Sequence, residues 1–371
     1  MEMGLLLSRL KLAPKLQEFC APERGKDNNF NLLRLLAAFA VLFGHCYALL
    51  GQAEPLGTTL GMSIGSIAVD IFFISSGFLV GASLIQRQNV IDYLLARFLR
   101  IFPALWVMLL FVVLVLGAAL SSQTWSNYYH DPRLFQHFVK SASLMTGLDF
   151  YLPGLFDNNP FPHVVNGSLW TMVYELCMYG VLLLMWIAFR LGKKYLPSFA
   201  ASILALAVAY CLYQILAFHY ILEAKQLAHL SLMFFSGTMY YLARRWIPLH
   251  LTFSVLAMFG LVLCLVFQKS VFEYAYILVL PYLVFSFAYL PAGLVRHFNR
   301  GGDYSYGVYI YAFPLQQAVI AMTPGIDVTR LLLISGTATL FCAALSWHLI
   351  EKPVMAQRWK LLSFLKVTAL R

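Results

Sequence analysis

Blocks of about 20 apolar residues recur along nearly the whole chain and set the terms for anything it can fold into. They fall at about 31–50, 62–85, 98–120, 166–190, 199–219, 227–243, 249–267, 271–290, 304–322 and 331–350. A bilayer core about 30 Å thick asks for a helix of about 20 apolar residues. Inside lipid, a helix satisfies its backbone polar groups within one segment. The spacing therefore predicts an all-α integral membrane protein with about ten transmembrane helices. The chain is 61% hydrophobic and 11% charged, against roughly 45–50% and 25% in soluble domains. That balance excludes water-soluble enzymes, DNA-binding domains and disordered tails.

Ten spans return both termini to one side of the membrane. With that side taken as the cytoplasm, 20 of the 26 Lys and Arg lie inside and five outside, while Arg34 sits within the first block. Positive residues concentrate in cytoplasmic loops, so both termini are expected to be cytoplasmic. The formal net charge of +10 then records orientation and gives no reason to invoke nucleic acid. The chain divides into a cytoplasmic N-terminal segment, 1–27, a transmembrane domain, 28–355, and a basic cytoplasmic tail, 356–371. The first 27 residues lack a continuous apolar run, so the first span is expected to serve as the insertion signal. Six scattered cysteines form no C-x-x-C and have no His at ligand spacing, which reads as core packing with no metal. One connection is long: residues 121–165, placed outside, carry aromatics such as Trp125, Tyr128 and Phe135 among Asp131, Asp149 and Asp157. It reads as a surface over a sugar-like acceptor or as an interfacial aromatic belt.

Charges inside membrane helices are costly and mark functional or paired positions. Arg34 lies near the inner end of the first block and His45 eleven residues later. Eleven residues bring a helix within about 20° of three full turns and advance it by about 16 Å, so both project from one face. Asp70 and Glu175 lie about eight and nine residues below the outer ends of the second and fourth blocks. His45, Asp70 and Glu175 thus share the outer half of the bilayer, where a carboxylate can support an imidazole acting as general base. Each carboxylate can equally serve only to lock helices together. At the inner face, Arg97 and Arg100 in RFLRIFP stand three apart on the first turn of the third span. With Arg34 they form a cluster suited to phosphate, or a pair that orientation alone would produce. Asn166-Gly167-Ser168 matches a glycosylation sequon but opens a membrane span and is discounted.

Six segments resemble, in order, the signatures of the acyltransferase family 3 integral membrane proteins. They are FNLLRLLAAFAVLFGH from Phe30, VDIFFISSGFLV from Val69, RFLRIFP from Arg97, NGSLWTMVYEL from Asn166, DYSYGVYIYAFP from Asp303 and LIEKP from Leu349. The resemblance covers residues 28 to 355. It implies a multi-pass enzyme of the bacterial cytoplasmic (inner) membrane that moves an acyl group, usually acetyl, from cytoplasmic acyl-CoA to a hydroxyl of an extracytoplasmic glycan or lipid-linked sugar. It also implies functional roles for Arg34, His45, Arg97 and Arg100. Two departures stand out. Many relatives carry a second His where this chain has Ala312, so a relay needing that imidazole is in doubt. Many also continue into an eleventh helix and a secreted hydrolase-like domain, so this chain is expected to act without a separate transfer module.

The combined expectation is an O-acetyltransferase that uses acetyl-CoA or another acyl-CoA as donor substrate and no metal. Its catalytic candidates are His45, as general base or as a nucleophile forming an acyl-imidazole, with Asp70 or Glu175 orienting it. Its donor-binding candidates are Arg34, Arg97 and Arg100. Ser168, Trp170 and Tyr174 are candidates for the acceptor path. The expected partners are acyl-CoA, the glycan or lipid-linked acceptor and membrane lipids, with no nucleic acid; self-association into a homo-oligomer is left open. The rival readings are an acyltransferase for a small-molecule or lipid acceptor, and a transporter or flippase of lipid-linked sugars.

Overall fold

The computed structural model describes residues 13–20, 27–145, 147–191 and 222–368. The span expected over 199–219, and Cys211 with it, lies outside the described residues. Within them the chain is helical, with no β-strand and a single isolated bridge between Lys15 and Pro248. The longer helices are α1 (Phe30–Leu49), α2 (Ile64–Arg87), α3 (Val90–Phe111), α4 (Trp125–His130), α5 (Arg133–Ser143), α6 (Trp170–Leu191), α7 (Leu222–Leu242), α8 (Leu251–Phe267), α9 (Lys269–Tyr289), α10 (Leu294–Gly301), α11 (Ser305–Met322), α12 (Val328–Ser346) and α13 (Arg358–Thr368).

Among the described residues, six helical runs are long and apolar enough to cross a membrane: Phe30–Leu49, Ile64–Arg87, Val90–Leu120, Gly167–Arg190, Val271–Tyr289 and Val328–Phe364. They coincide with six of the ten apolar blocks. Three further blocks are helical as α7, α8 and α11, and α8 is an apolar helix shorter than the six. Large apolar side chains remain exposed along these helices, among them Leu114, Leu184, Phe259, Val266, Leu278 and Phe341. A surface of that kind suits contact with lipid tails and is ill suited to water. The protein is accordingly a multi-pass membrane protein.

Helix starts are set by local side-chain chemistry. Asn89 Oδ1 accepts the amide hydrogen of Asp92 at 3.0 Å, Asp327 Oδ1 that of Arg330 at 2.9 Å, and Asn166 Oδ1 that of Ser168 at 3.2 Å. Each satisfies one of the donors a helix leaves open at its first turn.

The chain divides into two compact units. The first comprises residues 1–34, 70–86 and 178–302. Here α2 and α7 cross at backbone contact. A Cβ on Gly77 would overlap the carbonyl of Phe234, and one on Gly237 would overlap that of Ile74. Thr238 Oγ1 donates to the Gly77 carbonyl at 2.9 Å. Small residues permit this approach where burial against lipid supplies no net drive. Asn29 Nδ2 donates to the carbonyls of Phe287 and Pro291 at 3.1 and 2.9 Å, tying the start of α1 to the end of α9.

The second unit comprises 35–69, 87–177 and 303–371. Its centre is α11, buried at every residue from Ser305 to Ile320. Gly307 lets α11 approach α12, since a Cβ there would stand 2.7 Å from the Cα of Ala343. Leu42, Cys46 and Leu49 from α1 pack with Ala312, Phe313, Val319 and Ile320. Two helices contain π turns, Val112–Leu116 after α3 and Trp347–Glu351 after α12. The first is capped from the long connection, where Tyr128 and Tyr129 donate to the carbonyls of Val113 and Leu114 at 2.8 and 3.0 Å. The acids of that connection are paired locally: Asp131 with Arg133, Asp149 with Lys140 and Asp157 with His163.

Candidate functional site

In the second unit, His45 lies on α1 with its ring edge-on to Phe313, centroids 5.2 Å apart. Its Nδ1 is buried and has no hydrogen-bond partner among the described residues. The same Phe313 ring seats against Gly167, where a Cβ would stand 2.7 Å from Phe313 Cε2. The sequence N-G-S at 166–168 is thus a packing device. Gly167 admits the ring that holds His45, and Asn166 Nδ2 donates to the Ile310 carbonyl at 2.9 Å. The carbonyl of Ser168 accepts from the Tyr309 hydroxyl at 2.9 Å, and the Thr171 hydroxyl hydrogen-bonds to that of Tyr309. The Ser168 hydroxyl itself is buried, with no partner among the described residues. Gln316 Nε2 donates to the Leu42 carbonyl at 2.8 Å, fixing α11 to α1 within a turn of His45.

Glu175, on α6, is half-buried and within electrostatic range of Tyr93 and Tyr309. Arg97 reaches the same Tyr93. The structure therefore gathers Arg97 and Glu175 around one tyrosine. Arg100 has a different setting. Its guanidinium bridges two carboxylates, Nη2 to Asp303 Oδ2 at 2.6 Å and Nη1 to Glu351 Oε2 at 2.8 Å, with Tyr306 stacked at 5.4 Å. Asp303 is further held by the Ser305 amide at 3.2 Å and by its hydroxyl, and Glu351 by the Ser346 hydroxyl at 3.0 Å. Three of the quoted sequence segments, RFLRIFP, DYSYG and LIEKP, thus meet in one buried ion network. The sequence signal was present: Asp303 and Glu351 flank the ninth and tenth apolar blocks at the same end as Arg100.

In the first unit, Arg34 lies over the Phe72 ring at 5.7 Å. Asp70 is 2% exposed and both its oxygens are engaged, Oδ1 by His229 Nε2 at 2.8 Å and Oδ2 by the Tyr276 hydroxyl at 2.8 Å. Sequence reasoning set Asp70 beside His45 by depth and passed over His229 and Tyr276. His229 stands three residues into the sixth block and Tyr276 six into the eighth, both nearer the ends of their blocks than Asp70 is. Among the described residues, no group of three His, Cys, Asp or Glu side chains converges as metal ligands would.

The described residues thus make an all-helical multi-pass membrane protein that carries an imidazole and arginines on its membrane helices. Residues 27–347 match the acyltransferase domain family, and the chain belongs to that family. It is 31% identical over 334 residues to a protein of Shigella phage Sf6 named O-acetyl transferase, covering 88% of this chain and 96% of the relative. It is 29% identical over 367 residues to nodulation protein 10 of Rhizobium leguminosarum bv. viciae, covering 91% and 96%. No solved structure matches. The chain is an O-acyltransferase.

Proposed function

We propose that this chain moves an acyl group, acetyl by preference, from cytoplasmic acyl-CoA to a hydroxyl of an extracytoplasmic or lipid-linked glycan. The proposed setting is the bacterial cytoplasmic membrane, crossed by ten helices with both termini inside. The observation that carries the reading is His45, whose Nδ1 is buried with no hydrogen-bond partner among the described residues, on the helix that also carries Arg34. An imidazole with an open ring nitrogen in a dry site can take a proton from the acceptor hydroxyl as it attacks the thioester carbon. The name of the phage relative, O-acetyl transferase, supports acetyl as the group moved. The 20 to five division of basic residues supports the topology.

In this reading Arg34 and Arg97 meet the donor phosphates, for which a planar fork is suited. Arg100, with both ends of its fork on carboxylates, acts by holding α3, α11 and α12 in place. Glu175 supports the polar cluster around Tyr93 and Tyr309. Asp70 belongs to a separate group in the first unit, taken up below.

The test is acyl-CoA titration of the full chain reconstituted in lipid, read as acylated product. His45→Ala should lower kcat by roughly 10²–10⁴ with expression, thermal stability and donor KM little changed. Arg34→Ala and Arg97→Ala should raise donor KM more than they lower kcat, and Lys at either position should restore only part. Reporter fusions after residues 55, 140 and 270 should read outside, and those after 90, 245, 298 and 365 inside. Full activity of His45→Ala, or one reversed loop, would remove the corresponding part of the proposal.

A further inference from the structure

The geometry points to His229 as the group that receives a hydroxyl of the acceptor, with Asp70 and Tyr276 as its positioning residues. The inference rests on the reading of the chain as an O-acyltransferase and goes beyond it by naming where the acceptor is held. Asp70, Tyr276 and His229 come from α2, α9 and α7 of the first unit, and two hydrogen bonds of 2.8 Å join them. Asp70 is 2% exposed, whereas the His229 side chain is 38% exposed. The carboxylate is thus the sealed end of the group and the imidazole its open end.

The chemistry of the open end follows from the closed one. A carboxylate only accepts hydrogen bonds, so the ring nitrogen facing it, Nε2, carries the hydrogen. In the neutral ring the other nitrogen, Nδ1, then presents a lone pair. A tautomer fixed by a buried carboxylate recurs where an imidazole must present one particular nitrogen to its substrate. The Tyr276 hydroxyl occupies the second carboxylate oxygen, so Asp70 is held in one orientation. The other charged groups within range of the ring are Lys225 on its own helix and Glu273 on α9. With a cation and an anion both near, the surroundings favour no fully charged ligand. A neutral donor suits the lone pair, and the acceptor of an O-acyltransferase carries a hydroxyl by definition.

The test uses the full chain in lipid nanodiscs with 15N-labelled histidine, the His229 resonances being assigned by their loss in His229→Gln. Methyl glycosides of glucose, galactose, mannose, rhamnose and N-acetylglucosamine serve as neutral hydroxyl probes, and ammonium chloride as the charged comparison. In the wild type the His229 signals should report hydrogen on Nε2, and at least one glycoside should shift Nδ1 while ammonium does not. Asp70→Asn, whose amide can donate to the ring, should move the hydrogen to Nδ1 and abolish the glycoside response. Tyr276→Phe should retain the tautomer and weaken the response.

In turnover with a responding glycoside, Asp70→Asn should raise acceptor KM about tenfold, the size expected for one lost hydrogen bond, with donor KM unchanged. No response of Nδ1 to any glycoside, a response to ammonium equal to that of the sugars, or an unchanged tautomer in Asp70→Asn would each overturn the assignment. The resonance measurement needs no turnover. A wild type that binds glycosides at His229 yet transfers no acyl group would therefore sink the proposed activity and leave this site standing.

Discussion

Each unit buries an acidic centre, and the two are finished in opposite ways. In the second unit Asp303 and Glu351 close on Arg100, with side-chain exposures of 12%, 1% and 14%, and serine hydroxyls fill the remaining acceptor positions. In the first unit Asp70 is equally buried, but one of its two partners is a half-exposed imidazole. A centre whose carboxylate oxygens are all engaged has little left to offer a ligand, and its effect is to fix helices. A centre with one open nitrogen can hold helices and bind at once. Burial of a charge alone therefore does not separate structure from function, whereas the state of the last polar atom does.

The comparison breaks or sharpens most sharply at Arg100. Arg100→Ala leaves two buried carboxylates without their counter-ion and should lower stability by about 3–5 kcal/mol, measured by thermal unfolding in nanodiscs. A loss below about 1 kcal/mol would mean that the network is not a closed structural centre. Glu351→Gln keeps the shape and leaves Arg100 one carboxylate, so the expected loss is smaller, about 1–3 kcal/mol. Tyr276→Phe at the open centre removes one hydrogen bond and should cost about 1 kcal/mol. A larger loss there would show that the Asp70 group is as structural as the Arg100 network.

The smallest effect belongs to Asp131 and Arg133, an ion pair at the start of α5. The guanidinium and backbone amide of Arg133 hold the Asp131 carboxyl below the usual aspartate range. A depressed acid contributes stability that is present above its ordinary pKa of about 3.9 and is lost as pH falls through the lower folded value. The protection of amides in Arg133–Ser143, corrected for the intrinsic slowing of exchange in acid, should therefore fall below about pH 4, and Asp131→Asn should abolish that dependence while showing the same small loss of protection at neutral pH.

The fold was legible wherever length and apolarity decide it. Six blocks return as helices long enough to span, because lipid leaves the backbone no alternative. Individual positions were legible as far as the helix that carries them, as for Arg34 and His45, both on α1. Partnerships were not. Asp70 meets His229 and Tyr276 across 159 and 206 residues of sequence, and depth below a membrane surface ranks candidates without saying which helices are neighbours. The glycine positions that decide neighbours, Gly77 and Gly237 between α2 and α7, are unremarkable in a sequence with 23 glycines. Arg100 illustrates the converse limit, since an arginine near an inner membrane face has the same sequence appearance whether it awaits a phosphate or is already neutralised.

The π turn at Trp347–Glu351 gives this chain a tolerance at one place that the regular helix on either side lacks. Such a turn accommodates one residue more than the regular helix around it, and Ser346 meets Glu351 five positions later because of it. Removing one residue between Ser346 and Glu351 would let the helix close to its regular repeat while the side chains beyond keep their facing, so the carboxylate would stay toward Arg100. The same removal from the regular helix before the turn would swing every side chain beyond it by about 100°. A one-residue difference in length therefore belongs in this stretch and not in the helix that leads into it.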